Sequence, residues 1–129
     1  MKTKVAVLFV VMFATTVVPT FAHHSFAAEY DIKSTVTLNG TVTNIEWTNP
    51  HARFYVVVMG EDGKVVNWEI ESGSPNQLAR NGWTRSAVKV GDVVTVDGWR
   101  AKDGANLVNA KTMTTPDGRK LSAGTGEPR

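Results

Sequence analysis

The segment STVTLNGTVTNIEW, residues 34–47, decides the fold. Along its first ten residues, apolar or small side chains alternate with polar ones, and this period of two predicts a β-strand with one face toward a core. The alternation then changes phase, because Ile45 and Trp47 fall on odd numbers and the earlier apolar residues on even ones. A phase shift within one long strand predicts a β-bulge, and Gly40 allows a sharp bend.

Four further strands and one short helix are predicted downstream. The strands, each bounded by Gly, Pro, Asn or Asp turn residues, are predicted at 51–59, 64–71, 93–101 and 105–114. The helix is predicted over 75–80, with Ser74 as N-cap and Pro75 as its first residue. Five strands with a helix between the third and fourth are the pattern of an OB-fold barrel. The sequence therefore predicts an all-β, five-stranded OB-fold-like barrel, with a small open β-sandwich as the alternative.

The start of the chain has the features of a secretory signal peptide. A basic start precedes an apolar stretch, Pro19 interrupts it, and small residues lead to Ala22. The apolar stretch is shorter than the roughly 20 residues that span a bilayer, so no membrane insertion is expected after cleavage. Cleavage after Ala22 makes His23 the first residue, whereas the alternative cleavage after Ala27 removes both His23 and His24. We therefore expect a periplasmic or secreted bacterial protein.

The remaining chain has the length and composition of one small domain. The predicted organisation is a signal peptide at 1–22, a lead-in at 23–33, the barrel at 34–122 and a flexible tail at 123–129. The 129 residues carry a net charge of +2, and loss of Lys2 and Lys4 with the signal leaves twelve basic and twelve acidic residues. A formally neutral surface attracts nucleic acid only weakly, so no nucleic-acid partner is expected. The sequence has no cysteine, and export therefore brings no disulfide.

Three motifs resemble a known protein family. They are HHSFAAEYD at 23–31, EWTNPHA at 46–52 and GWTR at 82–85. These motifs are similar to those of a family of small secreted bacterial proteins that is catalogued as a domain of unknown function. The resemblance implies an exported, β-rich single domain that opens with paired histidines after the signal, and it implies no activity. More loosely, the order of elements resembles that of periplasmic bacterial OB-fold proteins.

The candidate metal ligands are the three histidines, His23, His24 and His51. If His23 is the first residue, its α-amine and its imidazole can chelate one ion, and His51 or His24 can add a third nitrogen. Nitrogen ligands favour Cu(II), so copper is the expected metal. Binding should weaken as pH falls, because the amine and the imidazoles must be deprotonated. The alternative is that the paired histidines are only a solvated N-terminus and that His51 only bonds a loop.

A face with aromatic residues is the second candidate site. Trp47, Asn49, Arg53 and Tyr55 lie on or just before the second predicted strand, where OB-folds often bind ligands. Alternation along this strand predicts Phe54 in the core and its two neighbours on the opposite face. Trp47, at the junction of strand and turn, is expected to be an exposed aromatic that binds the ligand. The expected ligand on this face is a small molecule, a glycan or a protein partner.

The sequence does not indicate an enzyme. Glu69 and Glu71 share a strand face and can hold a cation, but their alternation with apolar residues is typical of any half-solvated strand. The serines lie in no G-x-S-x-G element, and there is no zinc-ligand or phosphate-loop pattern. A histidine-brace copper oxidase is a further class, but no substrate platform for it is evident. We therefore expect a binding protein.

Overall fold

The computed structural model describes residues 26–124. This part of the chain consists of six strands and two short helices. In chain order they are α1 (Phe26–Glu29), β1 (Tyr30–Glu46), β2 (Arg53–Met59), β3 (Val65–Glu71), α2 (Pro75–Arg80), β4 (Val93–Ala101), β5 (Leu107–Thr114) and β6 (Lys120–Ser122). Neither described helix is long and apolar enough to cross a membrane. The predicted signal peptide and the last five residues of the predicted tail lie outside the described residues.

The strands close into a ring. β1 pairs with both β2 and β4, β2 pairs with β3, and β4 pairs with β5, all antiparallel. A short parallel pairing of Glu69–Glu71 in β3 with Leu107–Asn109 in β5 completes the circle. This strand order, with α2 between β3 and β4, is the OB-fold topology, so the predicted barrel is confirmed. The additional strand β6 pairs with the other half of β5.

β1 contains the predicted bulge. Its register with β2 shifts between Val42 and Asn44, where the alternation of the sequence changes phase. At Gly40, β1 passes close to β2, since a Cβ at this position would be 2.6 Å from the carbonyl oxygen of Val57. The bulge places Asn44 opposite Tyr55, which brings a polar side chain of β1 beside β2. The alternation of apolar and polar residues therefore predicts both the strand and its bulge.

The boundaries of the other elements agree with prediction to within two residues. α2 and β4 have the predicted ends, while β2 and β5 each begin two residues later than predicted. The start of β1 differs more, because the strand begins at Tyr30 and the prediction was Ser34. Tyr30 pairs with Ala101 and buries its ring, so the last four residues of the predicted lead-in belong to the strand. His23 and His24 lie outside the described residues.

The main core fills the barrel. It is built from inward-facing side chains of the strands, and Leu78 of α2 and Trp83 close one end. Ser74 caps α2 by accepting a 3.2 Å hydrogen bond from the Gln77 amide, and the Trp83 indole donates to the Ser122 carbonyl at 2.8 Å. Each fully buried Val, Leu, Ile or Phe contributes about 1.5–3 kcal/mol. Among the core side chains that are less than 2% exposed, the largest are Phe54, Ile70, Leu78 and Met113.

A second cluster lies apart from the main core. We call it the N-terminal anchor, and it consists of Phe26, Tyr30 and Trp99. The Phe26 ring centroid is 5.3 Å from that of Tyr30 and 5.2 Å from that of Trp99. The amide of Lys102 also donates a 2.9 Å hydrogen bond to the carbonyl of Glu29. The anchor therefore fixes the beginning of the described chain against β4.

Candidate functional site

The register of the β2–β3 hairpin assembles a charged patch on the outside of the barrel. It places Arg53 opposite Glu71 and Tyr55 opposite Glu69. The residues between them in each strand are buried in the core, so these four side chains point outward. The Arg53 guanidinium contacts Glu69 at 2.7 Å and approaches Glu71 at 3.9 Å. Burial lowers the pKa of Arg53, but the charges of Glu69 and Glu71, together with Tyr55, raise it, and the net shift is upward.

His51 lies in the loop just before β2. Two backbone hydrogen bonds fix the position of the next residue, Ala52. The Ala52 amide donates to the Gly73 carbonyl, and the Ser72 amide donates to the Ala52 carbonyl, both at 3.0 Å. In this position, His51 Nδ1 is 3.1 Å from the carbonyl oxygen of Ser72. His51 Nε2 faces Glu71 Oε1 at 3.8 Å.

This geometry determines which ring nitrogen of His51 carries a proton. A carbonyl oxygen can only accept, so Nδ1 must donate to Ser72, and the neutral ring then has its lone pair on Nε2. This nitrogen is 3.8 Å from a carboxylate oxygen of Glu71. Two acceptors face each other favourably only when a proton or a cation lies between them. Histidines that bind metals commonly donate their other N–H to a backbone carbonyl, as His51 does here.

Glu71 is the least exposed charged group of the patch, at 8% of its full surface. Its Oε2 accepts a 3.0 Å hydrogen bond from the Tyr30 hydroxyl, which leaves Oε1 toward His51. Burial, followed by the charge of Glu71 and this hydrogen bond, raises the pKa of Tyr30 well above its usual value. Tyr30 therefore remains a donor at all physiological pH values and fixes the orientation of the carboxylate.

Asn109 completes this buried polar group. It is 2% exposed and lies opposite Glu71 in the parallel pairing of β3 with β5. A hydrogen bond from its side chain acts to lower the pKa of Tyr30, against the larger effects of burial and Glu71. Within residues 26–124, however, its Oδ1 has no hydrogen-bond partner. The polar cluster around Glu71 is therefore not fully satisfied by the described chain.

The structure separates the residues that the sequence proposed for a ligand face. Arg53 and Tyr55 lie together on the outside of β2, as predicted. Trp47 instead is half-buried, with its ring centroid 6.5 Å from those of Phe54 and Trp83. It packs against the end of the core and not on the outer face. Asn49 is exposed in the loop that precedes His51.

The proximity of Glu71 and Tyr30 to His51 was not predicted from the sequence. A signal for Glu71 existed, because the Asp62-Gly63 turn fixes the hairpin register and hence the position of Glu71 near the start of β2. No local pattern indicated Tyr30, whose contact with Glu71 spans 41 positions. Within residues 26–124, no three His, Cys, Asp or Glu side chains form a group that could hold a metal ion. His51 and Glu71 form a pair within this part of the chain.

Comparison with known proteins identifies the family. The model of DUF6152, a family of unknown function, matches residues 11–109. The chain belongs to the DUF6152 family. This match spans the barrel from β1 into β5, so the predicted resemblance to a domain of unknown function is confirmed. No curated protein matches the chain. The activity of this DUF6152 protein must therefore be argued from its site.

Proposed function

We propose that this protein is exported and binds a transition metal, copper, at the outer end of β2 and β3. His51 Nε2 and Glu71 Oε1 are two of the ligands. The α-amine and imidazole of His23 supply the others once the signal is cleaved after Ala22. The observation that carries the proposal is the 3.8 Å approach of Nε2 to Oε1 while Nδ1 is held by the Ser72 carbonyl.

The distance between the two donors suits a shared ion. Bonds from a metal to imidazole nitrogen or carboxylate oxygen are about 2.0–2.2 Å, so two donors up to roughly 4 Å apart can bind the same ion. The two atoms of His51 and Glu71 fall within this limit. The neighbouring hydrogen bonds are also of the kind that orient metal ligands. A backbone carbonyl accepts from the imidazole, and a hydroxyl donates to the carboxylate.

A link between the start of the described chain and Glu71 supports a contribution from the histidines that precede it in the sequence. Phe26 and Tyr30 hold the start of the described chain in the N-terminal anchor, and Tyr30 itself contacts Glu71. His23 is three residues before Phe26, and three extended residues span about 10 Å. A chain that starts at His23 can therefore bring its amine and imidazole toward the two fixed donors. His24 is the alternative source of an imidazole.

Copper is favoured by the composition of the ligand set. An amine, two imidazoles and one carboxylate form an array of three nitrogens and one oxygen, which suits tetragonal Cu(II). Cu(II) also heads the affinity order of the divalent ions for such ligands. Zn(II) prefers a tetrahedral arrangement of similar donors, so competition between Cu(II) and Zn(II) separates the two metals. The role that we propose is binding and not catalysis.

A competition titration with Cu(II) tests this proposal. The mature protein beginning at His23 is compared with His51→Ala, Glu71→Gln and a protein with one extra alanine before His23. Glu69→Gln is the matched control, because Glu69 is on the same strand face but contacts only Arg53 among the site residues. We expect each of the first three changes to weaken Cu(II) binding by more than about tenfold. We expect the control to leave the affinity within about twofold of the unmodified protein.

Three results would contradict the proposal. If His51→Ala and Glu71→Gln both bind Cu(II) as tightly as the unmodified protein, the two residues are not metal ligands. If the extra alanine has no effect, the N-terminal amine is not a ligand. Tighter binding of Zn(II) than of Cu(II) would contradict the choice of metal.

A further inference from the structure

A separate polar groove crosses the outer faces of β1, β2 and β3. Asn44, Tyr55 and Glu69 are paired in one row across the three strands. The groove has a volume of about 490 Å³, and its polar lining residues are Thr43, Asn44, Tyr55, Asn67, Glu69 and Asn106. This volume is in the range of about 300–1,000 Å³ that is typical of small-ligand sites, and the lining does not include His51, Glu71 or Tyr30. The groove is therefore distinct from the proposed metal site.

One wall of the groove is the loop between β4 and β5. The Glu69 amide donates a 2.9 Å hydrogen bond to the Asn106 carbonyl, which fixes this loop beside β3. The Arg100 guanidinium lies 5.0 Å from the Trp68 ring centroid and donates to the Gly104 carbonyl at 2.7 Å. Arg100 also donates to the Asn106 side-chain oxygen at 3.2 Å. Asn106 is therefore held in place, as a preformed binding site requires.

The lining has little uncompensated charge. Glu69 is paired with Arg53 at 2.7 Å, and Lys and Arg are absent from the lining residues of this described groove. Phosphate groups would thus find no free cation among these lining residues. The groove instead offers three side-chain amides, which both donate and accept. Neighbouring hydroxyl groups of a sugar need donors and acceptors of this kind.

We propose that this groove binds a neutral oligosaccharide. The amides of Asn44, Asn67 and Asn106 and the carboxylate of Glu69 bind the sugar hydroxyls, while the Tyr55 ring packs on the apolar face of a sugar ring. The position agrees with the ligand face of OB-folds, which lies on the second and third strands beside the loop between strands four and five. This inference does not depend on copper binding.

The test is a titration of isotope-labelled protein, followed by amide NMR shifts, with three probes. The probes are cellotetraose, chitotetraose and the oligonucleotide dT8. We expect at least one of the two sugars to shift the amides of residues 43–44, 55, 67–69 and 106, and dT8 to leave them unchanged. Asn67→Ala should weaken sugar binding at least about fivefold, because the exposed Asn67 amide contacts the sugar directly. Asn76→Ala, on the exposed surface of α2, is the matched control and should have no effect.

The results separate this site from the metal site. His51→Ala should bind the sugar as the unmodified protein does, whether or not it binds copper. The proposal is overturned if neither sugar shifts the groove amides, if Asn67→Ala and Asn76→Ala behave alike, or if only dT8 binds there.

Discussion

The hydroxyl of Tyr30 donates a 3.0 Å hydrogen bond to Oε2 of Glu71, 41 positions later in the chain. The bond joins the beginning of β1 to the end of β3, where the barrel is closed by the parallel pairing with β5. It also leaves the other carboxylate oxygen directed at His51. The same contact therefore holds the fold together and orients the proposed metal ligand.

Replacement of Tyr30 by phenylalanine should affect both stability and copper binding. Tyr30→Phe removes the donor to a buried carboxylate, and a hydrogen bond to a charged group contributes about 1.5–3 kcal/mol. We expect urea unfolding to show a loss of that size, and Cu(II) affinity to fall by about tenfold or more. Tyr55→Phe is the matched control, since Tyr55 is on the outer face, and it should change stability by no more than about 0.5 kcal/mol. Equal stability of Tyr30→Phe and the unmodified protein would refute the role of this bond.

The same contact makes stability depend on alkaline pH. Because burial and Glu71 raise the pKa of Tyr30 above its value in the unfolded chain, near 10.0, the folded state retains this proton more strongly. The stabilisation is therefore complete below pH 10 and is lost as the pH rises above that value. We expect the free energy of unfolding to fall more steeply between pH 9.5 and 11.5 in the unmodified protein than in Tyr30→Phe. Identical slopes would show that Tyr30 is not held in its neutral form.

Gly98 should tolerate no side chain. A Cβ at this position would collide with the carbonyl oxygen of Asn109, a backbone atom that cannot move without disturbing β5. We expect Gly98→Ala to destabilise the protein by about 3 kcal/mol. In the control Gly60→Ala, the nearest atom is Asp62 Oδ1 at 2.9 Å, the end of a side chain that can rotate away with the loss of one exposed hydrogen bond from the Lys64 amide. Thermal unfolding of the two variants should therefore differ clearly, and equal midpoints would contradict the close packing of β4 on β5.

Much of the fold follows from local patterns in the sequence. Alternation along β1 predicted both the strand and the irregularity that the structure shows between Val42 and Asn44. Ser74 and Pro75 predicted the start of α2, because a cap and a fixed backbone angle act within a few residues. Strand count and helix position then sufficed for the OB-fold. These features are predictable because each depends on a short segment.

The site depends on contacts that no short segment encodes. In the sequence, Glu71 alternates with apolar residues as any half-solvated strand residue does. Its carboxylate is buried only because the barrel closes and Tyr30 packs against it. Trp47 follows the bulged end of β1, and its position depends on the space left by Phe54 and Trp83. The wall formed by Asn106 likewise depends on where a distant loop meets β3. The sequence therefore named His51 as a candidate, whereas its proximity to Glu71 follows from the hairpin register and from closure of the barrel.

The most direct test of copper binding is the native mass of the protein purified from the periplasm, recorded with and without one equivalent of Cu(II) in the presence of a competing chelator. We predict a chain that begins at His23 and retains one copper ion. A chain that begins at Ala28, or one that begins at His23 and loses copper to the chelator, would contradict the account.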